Sequence, residues 1–170
     1  MILLRDRGTG LDRWDAFATI AGGAAAALTG LLFVAVSIRA DYIARSQELR
    51  NRAAQTLILF GTVLVISVLM AIPGQEYRTL GAELLALGVV TGAGLYVLDR
   101  RAKASRSDQA IAQVLEAVTP NMVTSVLLLA AAIVLVLGLG AGLYVLVAPV
   151  LTALVGGVTS AWLFLTKITE

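Results

Sequence analysis

The sequence predicts an all-α polytopic membrane protein of about five transmembrane helices, with the N-terminus outside and the C-terminus in the cytoplasm. Three observations predict it. First, 59% of the 170 residues are hydrophobic and only 14% are charged, with a mean hydropathy of +0.90, whereas a soluble domain is about 25% charged. Second, the apolar residues fall in long blocks, and about 20 such residues cross a bilayer as one helix. Third, the basic residues gather between the blocks, where membrane topology puts them.

The first block, AFATIAGGAAAALTGLLFVAVSI at 16–38, lies between Asp15 and Arg39. It exceeds the roughly 7–15-residue core of a secretory signal, so it reads as a retained span. The second, at 56–73, ends in Pro73-Gly74, a pair that stops a helix and turns the chain. The third, at 79–98, is closed by Asp99, Arg100 and Arg101. From Met122 to Leu165 there is no charge, and a block of that length needs two helices. Gly138, Gly140 and Gly142 loosen the helix, and Pro149 suits the first turn of a new one. Spans four and five are therefore expected at 121–139 and 149–167, in a single membrane domain over 1–170.

Arg39, Arg45, Arg50, Arg52, Arg100, Arg101, Lys103, Arg106 and Lys167 fall on one side of this topology, against Arg5, Arg7, Arg13 and Arg78 on the other. The richer side is cytoplasmic by the positive-inside rule. Both cytoplasmic loops, 39–54 and 99–119, read as helical. Asp41/Arg45 and Glu48/Arg52 are acid-then-base pairs one turn apart, which extends the first helix toward Asn51. In the second loop Ser107 can cap a segment with Ile111, Val114, Leu115 and Val118 on one face, suited to lying on the membrane. Thr119-Pro120 then opens span four.

The heptapeptide GAGLYVL occurs at Gly92–Leu98 and again at Gly140–Leu146. Inverted repeats are common in transporters, but the residues preceding the two copies do not align at Glu83 or Gly88. The copies read as glycine-loosened helix ends followed by an interfacial tyrosine: the first closing span three, the second filling the turn between spans four and five.

Small residues recur about every four positions: Gly22, Gly23, Ala26, Ala27 and Gly30 in span one, Gly88 and Gly92 in span three, Gly157 in span five. This spacing lets helix backbones approach closely in lipid, either inside the bundle or between subunits. The hydroxyls Thr29, Ser37, Thr62, Ser67, Thr91 and Thr159 can bond a carbonyl one turn back; lining a polar path is the weaker alternative. Trp14, Tyr77, Tyr96, Tyr144 and Trp162 stand near block ends as interfacial anchors.

Glu83 is the ionisable residue within an apolar block, and an intramembrane carboxylate is a candidate functional site. Five residues beyond Arg78, it sits about 7–8 Å down the helix, with Gln75 or Arg78 as possible partners. Either it orients the turn between spans two and three, or it joins Gln75 and Glu76 in an outer vestibule that becomes a ring of carboxylates in an oligomer. The chain has neither cysteine nor histidine, which removes thiolate and imidazole chemistry. The remaining acids have no nucleophile–base spacing in the membrane. No enzyme, cofactor or metal site is expected. The net charge of +2 comes from residues flanking the spans and implies no nucleic-acid partner.

At GGAAAALTGLLFVAVSI, IPGQ…LGAELLALG, LYVLVAP and AWLFLTKI the chain resembles a group of uncharacterised small multi-pass bacterial membrane proteins. The resemblance implies a turn into the last helix at LYVLVAP and a bacterial cytoplasmic membrane. It brings no assigned activity, and Lys167 stands where that group often carries an acid. Two functions are expected on these grounds: a homo-oligomeric channel or channel-like permease for small ions, or an accessory or scaffold subunit of a larger membrane complex. Partners are accordingly the lipid bilayer and either further copies of the chain or another membrane protein.

Overall fold

A computed structural model describes residues 11, 14–38, 40–104 and 120–166. The architecture is all-helical: α1 (Asp15–Ile38), α2 (Ala40–Arg45), α3 (Gln47–Met70), α4 (Tyr77–Ala104), α5 (Pro120–Val136) and α6 (Gly142–Thr166). Helices α1, α3, α4 and α6 are each long and apolar enough to cross a membrane; α5 is apolar but shorter, at 17 residues. At 1.5 Å per residue it covers about 25 Å. Helices are what lipid demands, because no water is present to satisfy a backbone group that its own segment leaves open.

The helices α3, α4, α5 and α6 form a ring in which α3 and α5 each pack against both α4 and α6. Its interior is filled by side chains such as Leu59, Val63, Leu84, Leu128, Leu135 and Leu146, all buried. Helix α1 stands outside the ring, packed on α3 and touching α6 only slightly. Its apolar window is 17% buried against 44% for α3, so most of its surface meets lipid or another molecule.

The turns follow from local chemistry. Ser46, extended at φ −114° and ψ 114°, caps α3 with its hydroxyl accepting from the Leu49 N–H at 3.4 Å. The chain therefore reverses at Ser46, ahead of the expected continuation toward Asn51, and α3 begins well before the expected span start at 56. Ile43 packs on Leu49 with Val36 alongside, holding α2 against α3. After α3, Gly74 takes φ +70°, a conformation open to glycine, and α4 starts when the Glu76 carbonyl accepts from Leu80 at 3.0 Å.

The α5–α6 connection departs from the sequence expectation. Gly138 takes φ +79°, its N–H reaching the Leu135 carbonyl at 2.8 Å while the Leu139 N–H reaches Val134 at 3.3 Å. That is a Schellman ending. Helix α6 then begins at Gly142, ahead of the expected 149, and Pro149 lies inside it. A long irregular connection would leave backbone groups open to lipid, whereas a tight glycine turn closes them at once. The second GAGLYVL thus opens α6, and the first lies wholly within α4, which runs on to Ala104. The expected surface segment with Ser107, Ile111, Val114, Leu115 and Val118 lies outside the described residues.

At Gly81 the backbones of α4 and α5 come close together. A Cβ on Gly81 would lie 2.5 Å from the Val136 nitrogen and 3.0 Å from the Ala132 carbonyl oxygen. Backbone cannot move aside as a side-chain tip can. Gly81→Ala is expected to destabilise the folded protein in detergent by about 1–3 kcal/mol, read as a lowered thermal midpoint. Gly61→Ala, with open space around it, is expected to leave the midpoint unchanged or raise it.

Candidate functional site

Three places in the fold carry side chains that packing alone does not account for. The first is the turn between α3 and α4. Pro73 and Gly74 fold the chain back so that Gln75 is 8% exposed and donates through Nε2 to Glu83 Oε2 at 2.5 Å. Glu83 is half-buried, about 9 Å along α4 from its start. The amide oxygen of Gln75 is buried with no partner among the described residues. Glu76 is exposed and serves through its carbonyl as the start of α4. Arg78 turns the other way: its Nε lies 3.4 Å from where a Gly138 Cβ would be, beside the C-terminal end of α5, whose partial negative charge attracts a cation. Of the two partners considered for Glu83, Gln75 is the one that bonds it.

The second place is the outward face of α1. Ala18, Ala21, Ala25 and Leu32 are buried against the bundle, and Gly22 meets Ser67 of α3, where a Cβ added to the glycine would lie 3.0 Å from the serine Cβ. By contrast, a Cβ added to Gly23 or Gly30 would meet nothing within 4 Å among the described residues, and Ala26 and Ala27 are exposed. The exposed Ala16 and Thr19 continue that surface. At 100° per residue the open stripe is centred roughly 160° from the buried one. The remaining small residues named from sequence point inward: Gly88 against Leu129, Gly92 near Ser125, and Gly157 against the Phe60 ring.

The third place is a groove of about 320 Å³ between α4 and α5, at the end of the bundle where α4 finishes and α5 begins. Arg100, Tyr96 and Asn121 stand toward its outer end, and the Arg100 guanidinium carbon sits 5.5 Å from the Tyr96 ring centroid. The sequence marks Tyr96 as an anchor but gives no sign of Asn121 or the groove, since only the meeting of two helices apart in sequence creates it.

No family model, curated protein or solved structure matches this chain. Its chemistry is read from the geometry of its own residues.

Of the intramembrane hydroxyls, Thr29, Ser37, Thr62, Thr91 and Thr159 bond the carbonyl four residues back, at 2.7–2.8 Å. Such bonds engage the hydroxyl locally and leave little for a polar path. Thr152 also bonds the carbonyl four residues back, at 3.0 Å, and accepts from the Thr124 hydroxyl at 3.2 Å, a tie between α5 and α6 with no sequence signal because it spans 28 residues. Trp14 stacks edge-on against Phe17 and Tyr144, at 5.6 and 5.0 Å between centroids, so this anchor also fastens the start of α1 to α6. Tyr77 leans on Gly140, and Trp162 is exposed. Among the described residues no group of three or more His, Cys, Asp or Glu side chains could hold a metal ion.

The Gln75–Glu83 bond should be measurable. A double-mutant cycle with Gln75→Ala and Glu83→Ala, read by unfolding in detergent, is expected to give a coupling on the order of 1 kcal/mol. Additive effects would mean the bond contributes nothing to holding the turn.

Proposed function

We propose that the protein is a non-enzymatic integral membrane protein of a bacterial cytoplasmic membrane that assembles with copies of itself through the outward face of α1. The observation that supports this reading is the open stripe of Gly23, Ala26, Ala27 and Gly30, on a helix packed only from its other side. Small residues at this spacing admit a second helix closely enough for van der Waals contact to hold it. A twofold pairing brings the same stripe against itself, so one surface is sufficient. The exposed Ile20 and Leu31 on one flank and Phe33 on the other would grip the incoming helix.

Ion passage is the activity this assembly would support. One copy has a filled, apolar interior, so a path would run between copies. Glu83 favours this second reading: it is a half-buried carboxylate near the turn, with one oxygen held by Gln75, and a carboxylate so placed can attract a small cation. The alternative, an accessory subunit, would use the same α1 face for a helix of another membrane protein. Resemblance to small multi-pass bacterial proteins and the clustering of basic residues at the α2–α3 and α4–α5 end support a cytoplasmic location for that end.

Mass measurement in mild detergent tests the assembly. The wild type is expected to be an oligomer and the Gly23→Ile/Ala27→Ile variant a monomer with unchanged helicity. A monomeric wild type, or capture only with a different protein, would overturn self-association. In liposomes, the oligomer is expected to pass cations and Glu83→Gln to alter that flux; a wild type without flux removes the channel reading alone. Topology is checked separately. In a chain without cysteine, Glu76→Cys is expected to react with an impermeant maleimide on intact cells, and reaction only after permeabilisation would reverse the orientation.

A further inference from the structure

The pair of side chains at the α3–α4 turn is only half satisfied. Gln75 donates through Nε2 to Glu83 Oε2 at 2.5 Å, while its own Oε1 is buried with no partner among the described residues. With 8% of its surface exposed, Gln75 is held out of water, where an unmet acceptor is destabilising. An ionised carboxylate cannot meet it, because both carboxylate oxygens only accept. Turning the amide over does not help: Oε1 would then face a carboxylate oxygen, acceptor against acceptor. The pair is incomplete for want of one hydrogen.

A proton on Glu83 supplies it. The carboxylic acid gains an O–H donor and keeps an acceptor. A primary amide offers the complementary set, and the last torsion of a glutamate is soft, so the two planar groups can close a ring. The new O–H donates to Gln75 Oε1, and Nε2 goes on donating to the other carboxyl oxygen. We infer that Gln75 and Glu83 form a proton-binding site, and that the bound proton fastens the α3–α4 turn to α4 through this second hydrogen bond. A proton suits the site better than a larger ligand, since the amide oxygen is enclosed. Among the described residues, the elements packed on α4 bring no cation to Glu83. Helix α3 has no titratable side chain from Ala53 to Met70, and α5 has none. On α4 itself Arg78 turns to the end of α5, Tyr77 leans on Gly140, and Glu76 is exposed. The site belongs to one chain, so it stands whether or not copies assemble through α1 or pass ions.

Reversible unfolding of the full chain in detergent, followed from neutral to acidic pH, tests this with Glu83→Gln as the reference. That variant carries the donor and acceptor of the protonated acid at every pH, so its amide closes the same ring with Gln75. At neutral pH Glu83→Gln is expected to be about fivefold less unfolded than the wild type, the equivalent of about 1 kcal/mol for one further hydrogen bond. On acidification the wild type should become more stable until the two coincide. The sign follows from where the proton is held: only the folded chain brings the amide oxygen to the carboxyl, so this stability arrives as pH falls and is lost as pH rises. The other acids titrate alike in both proteins and cancel. A difference that does not change with pH overturns the proposal; a water lodged at the amide oxygen would act in that way, bonding it at every pH. In a Gln75→Leu background the pH-dependent difference should vanish, and its persistence would overturn the part given to Gln75. If that background does not fold, the infrared carbonyl stretch of protonated Glu83 decides, identified in the wild type by its loss in Glu83→Gln. A doubly bonded acid absorbs at lower frequency than a free one, and the free-acid frequency would overturn the site.

Discussion

Helices in a bilayer gain little from hiding apolar surface from one another, because lipid tails are as apolar as leucine. What holds them together is close fit, and in this protein the fit depends on where side chains are missing. Gly81 lets α4 approach the backbone of α5, Gly88 receives Leu129, and Gly157 receives the ring of Phe60, joining α6 to α3. Remove these notches and the ring of four helices has no reason to close. On α1 the same device is quieter: Ala18, Ala21 and Ala25 with Gly22 lay the helix against α3.

Close packing leaves polar groups few places to go, and their distribution follows from that. Within the helices, hydroxyls fold back on their own carbonyls, which satisfies them without a neighbour. Polar atoms without described partners collect at the ends: the Gln75 amide oxygen at the α3–α4 turn, and the Asn51 amide nitrogen at the opposite end. These ends are where water and headgroups reach. The Glu83 carboxylate fits this pattern as well, held near the turn by Gln75. Whatever chemistry the protein has in the polar sense belongs to its two rims, while its centre is apolar and full.

Much of this is legible in the chain. Block length and charge placement foretell the helical spans, and Pro73-Gly74 marks the α3–α4 turn, because those signals are local and strong. The start of α6 is not legible in the same way, because three glycines and a proline look like a broken helix. In lipid, backbone groups must still be paired, so Gly138 alone makes the turn and Pro149 is absorbed. Ser46 is hidden as a cap because the acid–base pairs around it argue for an unbroken helix. Spacing says that Gly23 and Gly88 suit helix contacts, but it does not say which contact lies inside the chain. That depends on how α1 and α4 are rotated against their neighbours, and rotation is a tertiary fact.

The rotation of α1 bears on why its glycines are there at all. Glycine in a helix interior costs up to about 1 kcal/mol relative to alanine, through lost backbone entropy. Gly81 and Gly157 offset that cost with contacts that a Cβ would block. Gly23 and Gly30 meet nothing within 4 Å, and neither has a positive φ that would require glycine. Alanine would serve a lipid-facing surface better at both positions. Among the described residues nothing compensates for them, and a helix pressed against that face from outside would. The feature that weakens α1 as an isolated span is thus one that a helix packed against its outward face would put to use, and of the four helices long enough to cross a membrane α1 is the one whose apolar window is least buried in the bundle.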